Sequence, residues 1–502
     1  MAKKIFFLLK TVDKFYGCMY TLPHSIHLKA IEACVMKTTL ALGSVDLQKK
    51  PGFLLVDKIV SKCDIFKNSY LNDNSHRSNW IPSGAILKAT CLMQSQAMTD
   101  FQDIDELNND TIFRELVGYP ISQETLRQRL NAIAKEDSVI SDVDNSLVNT
   151  LKGATFNTVK INGKNYIPLD IDVTPFCNPN VKKEEISRTY KDVYGFAPIM
   201  AYLGHFALAL ELRPGSQHSE NGAIEFLLRC LNLIKKLDLN PEDILVRVDS
   251  AHDDGDFVKV LEKNHFNYIV KKNFRRESRA KYAKFALQNV KPQVSDDESV
   301  RIYYYVNSNK KPTSAPDIKG YAVYQVTEPY KDERGILLYP LFLDMNTNRP
   351  LPNSGISDLC EVEAMWTNLP MTKKDCANFG FAFGAECFAL YRDHATSEQF
   401  HSELKTDMDM ELLPSKYFAT NKLFLALSAI AFNALRLIGD KALSLDSSLH
   451  HRKSRRLGRM RLRTVIDKLC TIACKVVRHA REMVVIFGRR CRYYDTFVKL
   501  YQ

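Results

Sequence analysis

Tyr166-Ile167-Pro168-Leu169-Asp170-Ile171-Asp172-Val173-Thr174 decides the fold. In an extended chain Ile167, Leu169 and Ile171 fall on one side, and Asp170 and Asp172 on the other. One side is built for a core, and the other carries two acids to the strand's end. The segment just upstream, Thr158-Val159-Lys160-Ile161 followed by Asn162-Gly163, signals a hairpin. Lys164-Asn165 lengthens the connection, so the second strand is expected from Tyr166 to Asp172. Further strands are expected at 195–203 and 205–212, the latter closed by Arg213-Pro214-Gly215. A helix follows at 223–237, a buried strand at 244–249 ending on Asp249, a helix at 256–263 and a strand at 267–270. Strands and helices in that order make a mixed α/β sheet.

Outward from this unit the texture changes twice. Residues 1–155 read as mostly helical, with a helix start at Ser122: its hydroxyl can cap, Glu124 suits the first turn, and Leu126, Leu130 and Ile133 form an apolar stripe. Arg127 and Arg129 then face outward, on a helix that either enters a DNA groove or is simply amphipathic. Between about 275 and 370 the helical pattern lapses, and strands are expected at 302–306, 321–326 and 335–343, a β-rich insertion. From Cys387 the pattern is helical again. The expected organisation is a helical DNA-binding region (1–155), a first part of the α/β core (156–275), the insertion (276–370), a second part of the core (371–445) and a basic C-terminal region (446–502).

Charge is concentrated. Residues 451–502 hold fifteen Lys/Arg and three acids, a balance of +12 against +11 for all 502 residues, so the remainder is almost neutral. Such a block suits a polyanion, whose condensed counterions it displaces; a solubilising or non-specific RNA-binding tail is the alternative. The twelve cysteines contain no Cys-x-x-Cys pair, which favours free thiols in a reducing compartment; Cys470 and Cys474 with His479 are the one candidate zinc grouping. The apolar run 423–432 is too short to span a bilayer and reads as a buried helix, and Lys10 cuts short the apolar stretch after Lys3-Lys4. No membrane partner and a cytoplasmic location are expected.

Three acids stand at element ends: Asp172, Asp249 and Glu398, the last within Tyr391-Arg392-Asp393-His394-Ala395-Thr396-Ser397-Glu398. Read as one helix to Lys405, that stretch sets Tyr391, Glu398 and Lys405 seven residues apart on one stripe, with His394 beside them. Oxygen ligands suit Mg²⁺, and paired divalent ions suit phosphoryl transfer. Taken together, Asp170-Ile171-Asp172-Val173-Thr174, Tyr194-Gly195-Phe196, Leu212-Arg213-Pro214-Gly215, Val246-Arg247-Val248-Asp249-Ser250 and the spacing Tyr-x2-[Arg]-x3-Glu-x6-Lys resemble a DDE-type insertion-sequence transposase. The resemblance is to the cut-and-paste group whose RNase H-like core is interrupted by a β-strand insertion, and it spans roughly residues 80–490.

The resemblance implies that Asp172, Asp249 and Glu398 bind Mg²⁺ or Mn²⁺ and that a freed 3′-hydroxyl attacks target DNA. It implies that Tyr391 and Lys405 grip phosphates near the cut. Double-stranded DNA, as terminal inverted repeats and as target, would be the partner, with a homodimer joining two ends at the nucleoid. Trp366 could stack on an unpaired base or be a core ring. The family's Arg position holds His394, with Arg392 two residues earlier, and Asp170 competes with Asp172 as the first acid. Two alternatives remain: a catalytically inactive transposon-derived DNA-binding protein and an RNase H-like nuclease.

Overall fold

The computed structural model describes residues 47–72, 80–295, 300–329, 343–344, 349–350, 359–449, 458–479 and 482–502. The expectations for Lys3 to Lys10, for most of 335–343 and for the basic residues 451–457 lie outside them. Five strands form the heart of the molecule: β1 (Lys164–Val173), β2 (Ile199–Leu203), β3 (Phe206–Glu211), β4 (Ile244–Val248) and β5 (Asn267–Lys271). They lie in the order β3-β2-β1-β4-β5, with β1, β4 and β5 parallel and β2 antiparallel to both its neighbours. This is the RNase H-like arrangement.

β1 starts earlier than its polarity suggests. Ile161 pairs with Lys164, so the hairpin turn is the two residues Asn162 and Gly163, both at positive φ (49° and 82°). Asn-Gly tolerates that conformation, and the tight turn matches strand twist, so Lys164 and Asn165 belong to the strand.

The sheet then continues. Strands β6 (Val300–Asn307), β7 (Tyr321–Pro329) and β8 (Glu361–Thr367) extend it antiparallel in the order β5-β8-β7-β6. The strands of the β-rich segment thus prolong the central sheet. That segment also contains a helix, Ala280–Asn289, where none was expected; Tyr282, Ala283, Ala286 and Leu287 are its buried face, a short four-residue repeat easily lost among Lys and Gln.

Helices cover both faces. On the N-terminal side are α1 (Gly52–Val60), α2 (Ser83–Gln94), α3 (Gln123–Ile133) and α4 (Val139–Leu151). Ser122 caps α3 by accepting from the Thr125 N–H, and Leu126, Leu130 and Ile133 are buried, as the sequence implies. One face of the sheet packs on α5 (Ala223–Lys236), α6 (Gly255–Lys263) and α7 (Ala280–Asn289), using Leu169, Ile171, Val246 and Val248. The other face meets α8 (Phe381–Asp393), α9 (Thr396–Ser402) and α10 (Phe418–Leu445). Among the described residues α10 is the one helix long and apolar enough to cross a membrane, and 89% of its most apolar window is covered by the protein itself. Asn433 on α10 exchanges two hydrogen bonds with the backbone of Ala207 (2.9 and 2.8 Å), pinning the helix to β3.

Part of the C-terminal basic charge is spent internally. Arg459 donates to Gln399 (2.8 Å) and pairs with Glu403, while Arg461 pairs with Asp407 (2.8 Å). Arg489, Arg490, Arg492 and Lys499 are exposed.

Candidate active site

Parallel pairing sets the acids. Asp170 is registered with Arg247 and Ile171 with Val248, so one residue further Asp172 stands beside Asp249 where β1 and β4 end. Alternation sends Asp170 and Asp172 to the face opposite Leu169 and Ile171, towards α8 and α9.

The two acids of β1 have different fates. Asp170 is fully buried and receives a bidentate fork from Arg247 (Nε to Oδ1 2.6 Å, Nη2 to Oδ2 2.7 Å), with His394 Nδ1 2.8 Å from Oδ1. Burial opposes its ionisation, but Arg247 and then His394 outweigh burial and hold its pKa below the usual carboxylate range. The remaining Arg247 nitrogen donates to the Leu390 carbonyl (2.7 Å) and to Asp393 (2.9 Å). Asp170 is thereby engaged, and the network ties β1 and β4 to the end of α8. His394, at the family's Arg position, is a buried member of it.

Asp172 and Asp249 line one cavity of about 370 Å³, together with Tyr190, Gln217, His218 and His252. Asp249 accepts from the Ala251 N–H (3.0 Å) and has His252 Nδ1 at 3.0 Å. Burial works against its charge, yet the His252 hydrogen bond and charge, with the Ala251 N–H, keep its pKa lowered. For Asp172 the balance reverses: burial first, and the neighbouring Asp249 second, push its carboxyl up to about 6. His401 Nε2, buried and without a hydrogen bond, lies 3.6 Å from Asp172 Oδ2; burial drives that imidazole down to about 3, so it is neutral. Two adjacent carboxylates that repel each other are hard oxygen donors suited to a divalent cation. Among the described residues no three His, Cys, Asp or Glu side chains converge as a ready-made metal cage.

The elevated Asp172 pKa has a measurable consequence for the metal-free protein. A carboxyl at about 6 in the folded chain and 3.8 when unfolded lowers stability as pH rises between those values, and the penalty is complete above 6. Asp172 is 27% exposed, so the penalty is about 1–2 kcal/mol rather than the full ~3 kcal/mol of the shift. Asp172→Asn should therefore raise the melting temperature in chelator at pH 8, with the gain vanishing towards pH 4. An equal gain at both pH values would refute the coupling.

The expected single helix from Tyr391 to Lys405 is broken. α8 ends at Asp393, and tighter i→i+3 bonds carry the chain through His394 and Ala395 (Ala395 N–H to Arg392 C=O 3.1 Å, Ser397 N–H to His394 C=O 2.8 Å). After α9 the turn widens into a π-helical stretch, Glu403–Asp407. Each irregularity coincides with buried charge pairing: Asp393 and His394 with the Arg247–Asp170 pair, and Glu403 and Asp407 with Arg436, Arg459 and Arg461. Tyr391 is half-buried, its phenol raised by burial and then by Asp249 and Asp172. Lys405 donates to the Pro175 carbonyl (2.9 Å) and pairs with Glu411 (2.8 Å). Glu398 is exposed and does not line the acid cavity. The structure thus brings Asp172 and Asp249 together and leaves Glu398 outside their cavity.

The other expected DNA contacts have partners within the protein. Trp366 is 2% exposed, and its indole N–H donates to Asp253 (2.7 Å), so it is a core ring with no face for a base. Arg129 stacks on Trp80 (3.7 Å) and donates to the Ile81 carbonyl and the Ser83 hydroxyl, holding α3 to α2 instead of facing a groove. Arg127 pairs with Glu124 one turn back, and Arg392 donates to Tyr304 (3.0 Å) and Gln325 (2.6 Å). Arg247, His401 and Tyr190 were missed. Arg247 left a signal, since an arginine inside a buried strand requires an acid opposite; His401, three residues after Glu398, left only its helical spacing.

A family model described as Transposase DDE domain group 1 matches residues 45–312, more than half of the chain. No curated protein matches the sequence significantly. Among solved structures the chain is similar to a piggyBac transposase in a cryo-EM synaptic complex with hairpin DNA. That match has 8% identity and a TM-score of 0.37, over 83% of this chain and 77% of that one.

Proposed function

Because the chain belongs to the DDE transposase family, we propose that it binds the ends of its own insertion sequence and cuts and joins DNA strands there with Asp172 and Asp249. The single observation that supports this most is the pairing of those carboxylates in one cavity at the ends of parallel strands. They would hold Mg²⁺ or Mn²⁺; Glu398, exposed outside their cavity, would join them as the third acid when DNA is bound. A bound divalent ion there would supply charge stabilisation at phosphate oxygens and activate the attacking oxygen.

The chain's own groups have defined parts. His252 and the Ala251 N–H fix one oxygen of Asp249 and keep the group ionised. Tyr391, its phenol kept protonated, can donate to a backbone phosphate beside the acids, and Lys405 can shift from the Pro175 carbonyl to another. A homodimer on two inverted-repeat ends, at the nucleoid, completes the reading.

Purified protein with Mg²⁺ should nick a duplex carrying the element's terminal inverted repeat, and Glu398→Gln should lower the rate at least about a hundredfold. Binding without nicking would instead identify a catalytically silent DNA-binding protein. Nicking of every duplex alike would identify a nuclease.

A further inference from the structure

Beside the acid cavity stands a small antiparallel sheet of Phe176–Cys177, Tyr194–Phe196 and Ser187–Arg188. Its tip, residues 189–193, is closed by Thr189 N–H to Val193 C=O (2.8 Å) and Asp192 N–H to Thr189 C=O (2.9 Å). Its base is held by close approach of the next loop: a Cβ on Gly215 would lie 2.2 Å from the Gly195 carbonyl oxygen and 2.4 Å from that of Ser187. The Ser216 N–H also donates to the Ser187 hydroxyl (2.7 Å). The hairpin is therefore firmly placed.

At the tip, Tyr190 is 60% exposed, which alone would need no explanation. Its hydroxyl, however, donates to the carbonyl of Val173 (2.8 Å), the residue after Asp172, and the side chain lines the same cavity as Asp172 and Asp249. An aromatic ring tethered at its polar end with its body in solvent gives up little conformational freedom on stacking. Lys191 is exposed, its ammonium over one face of the Tyr190 ring, 5.7 Å from the ring centre. A ring face with a cation next to it, at the mouth of a carboxylate cavity, matches a base and its phosphate.

We propose that Tyr190 and Lys191 form a subsite for an unpaired nucleotide, in which any base stacks on the Tyr190 ring and Lys191 takes its phosphate. The proposal rests on the reading of Asp172 and Asp249 as DNA-processing acids, and deepens it by naming which part of the DNA meets the cavity mouth. Duplex DNA would not use the ring, because its bases are stacked on each other.

The test uses the full chain in EDTA, so that no cutting contributes. Its probes are a blunt inverted-repeat duplex and the same duplex with a short single-stranded 3′ overhang carrying 2-aminopurine. The wild type should quench the fluorophore. Tyr190→Ala and Tyr190→Leu should abolish the quench and weaken overhang binding about tenfold, with blunt-duplex binding unaltered, while Tyr190→Trp retains the quench. Lys191→Gln should flatten the salt dependence of overhang binding by roughly one counterion. A persistent quench in Tyr190→Leu, or equal losses on blunt and overhang DNA, would overturn the proposal. If Tyr190→Ala does not fold, the Leu and Trp pair decides. Failure of the acid assignment would show in cleavage and leave this quench in place.

Discussion

Asp249→Asn should abolish end cleavage, by at least about a hundredfold, while leaving end binding largely intact. The substitution keeps size and shape. The amide oxygen can still accept from the Ala251 N–H, so the turn after β4 stays capped and the fold is undisturbed. What is lost is charge next to Asp172, whose carboxyl burial and then the neighbouring Asp249 push up to about 6. A strand-cleavage assay with an electrophoretic binding assay on the same preparation separates the effects. A variant that still cuts would place the chemistry elsewhere.

The second large effect is on stability. Arg247→Ala should destabilise the fold by about 3–5 kcal/mol, because it leaves Asp170 buried without its counterion. It also removes the donor to Leu390 and Asp393, so the end of α8 loses its anchor on the sheet. Asp170→Asn keeps one oxygen to accept from Arg247 and His394 but sets its NH2 against the second Arg247 N–H; it should cost less than Arg247→Ala because Asp393 still faces the guanidinium. Replacing both by apolar residues, Asp170→Leu with Arg247→Met, should recover much of the loss, which a double-mutant cycle in urea would reveal. A single-variant loss below about 1 kcal/mol would mean that water reaches the pair.

The heart of this fold was legible because it rests on alternation. Ile167, Leu169 and Ile171 against Asp170 and Asp172 announce β1, and the buried run before Asp249 announces β4. Where the sequence misled, charge was the cause. Lys164 and Asn165 look like loop residues but pair across an Asn-Gly turn. Tyr391 to Lys405 has the spacing of one helix, yet Arg247 and Arg436 lie far away in sequence, and their pull on Asp393 and Glu403 cannot be seen in a periodicity. Thr174, two residues on, favours Asp172 over Asp170 in the sequence alone; the placement of Arg247 and His394 then shows which acid is engaged and which is open. For Trp366 and Arg129 the sequence leaves a DNA contact and a structural role both open, because it does not show their partners, Asp253 and Trp80.

The most direct test of the carboxylate pair as a metal site is a change of ligand softness. Asp172→Cys places a thiolate where a hard oxygen stood, and sulfur accepts Mn²⁺ more readily than Mg²⁺. Cleavage of an inverted-repeat end by Asp172→Cys should be lost with Mg²⁺ and return with Mn²⁺, while Asp172→Ala stays inactive with both. Equal activity of the cysteine variant in the two metals, or full activity of the alanine variant, would contradict the account.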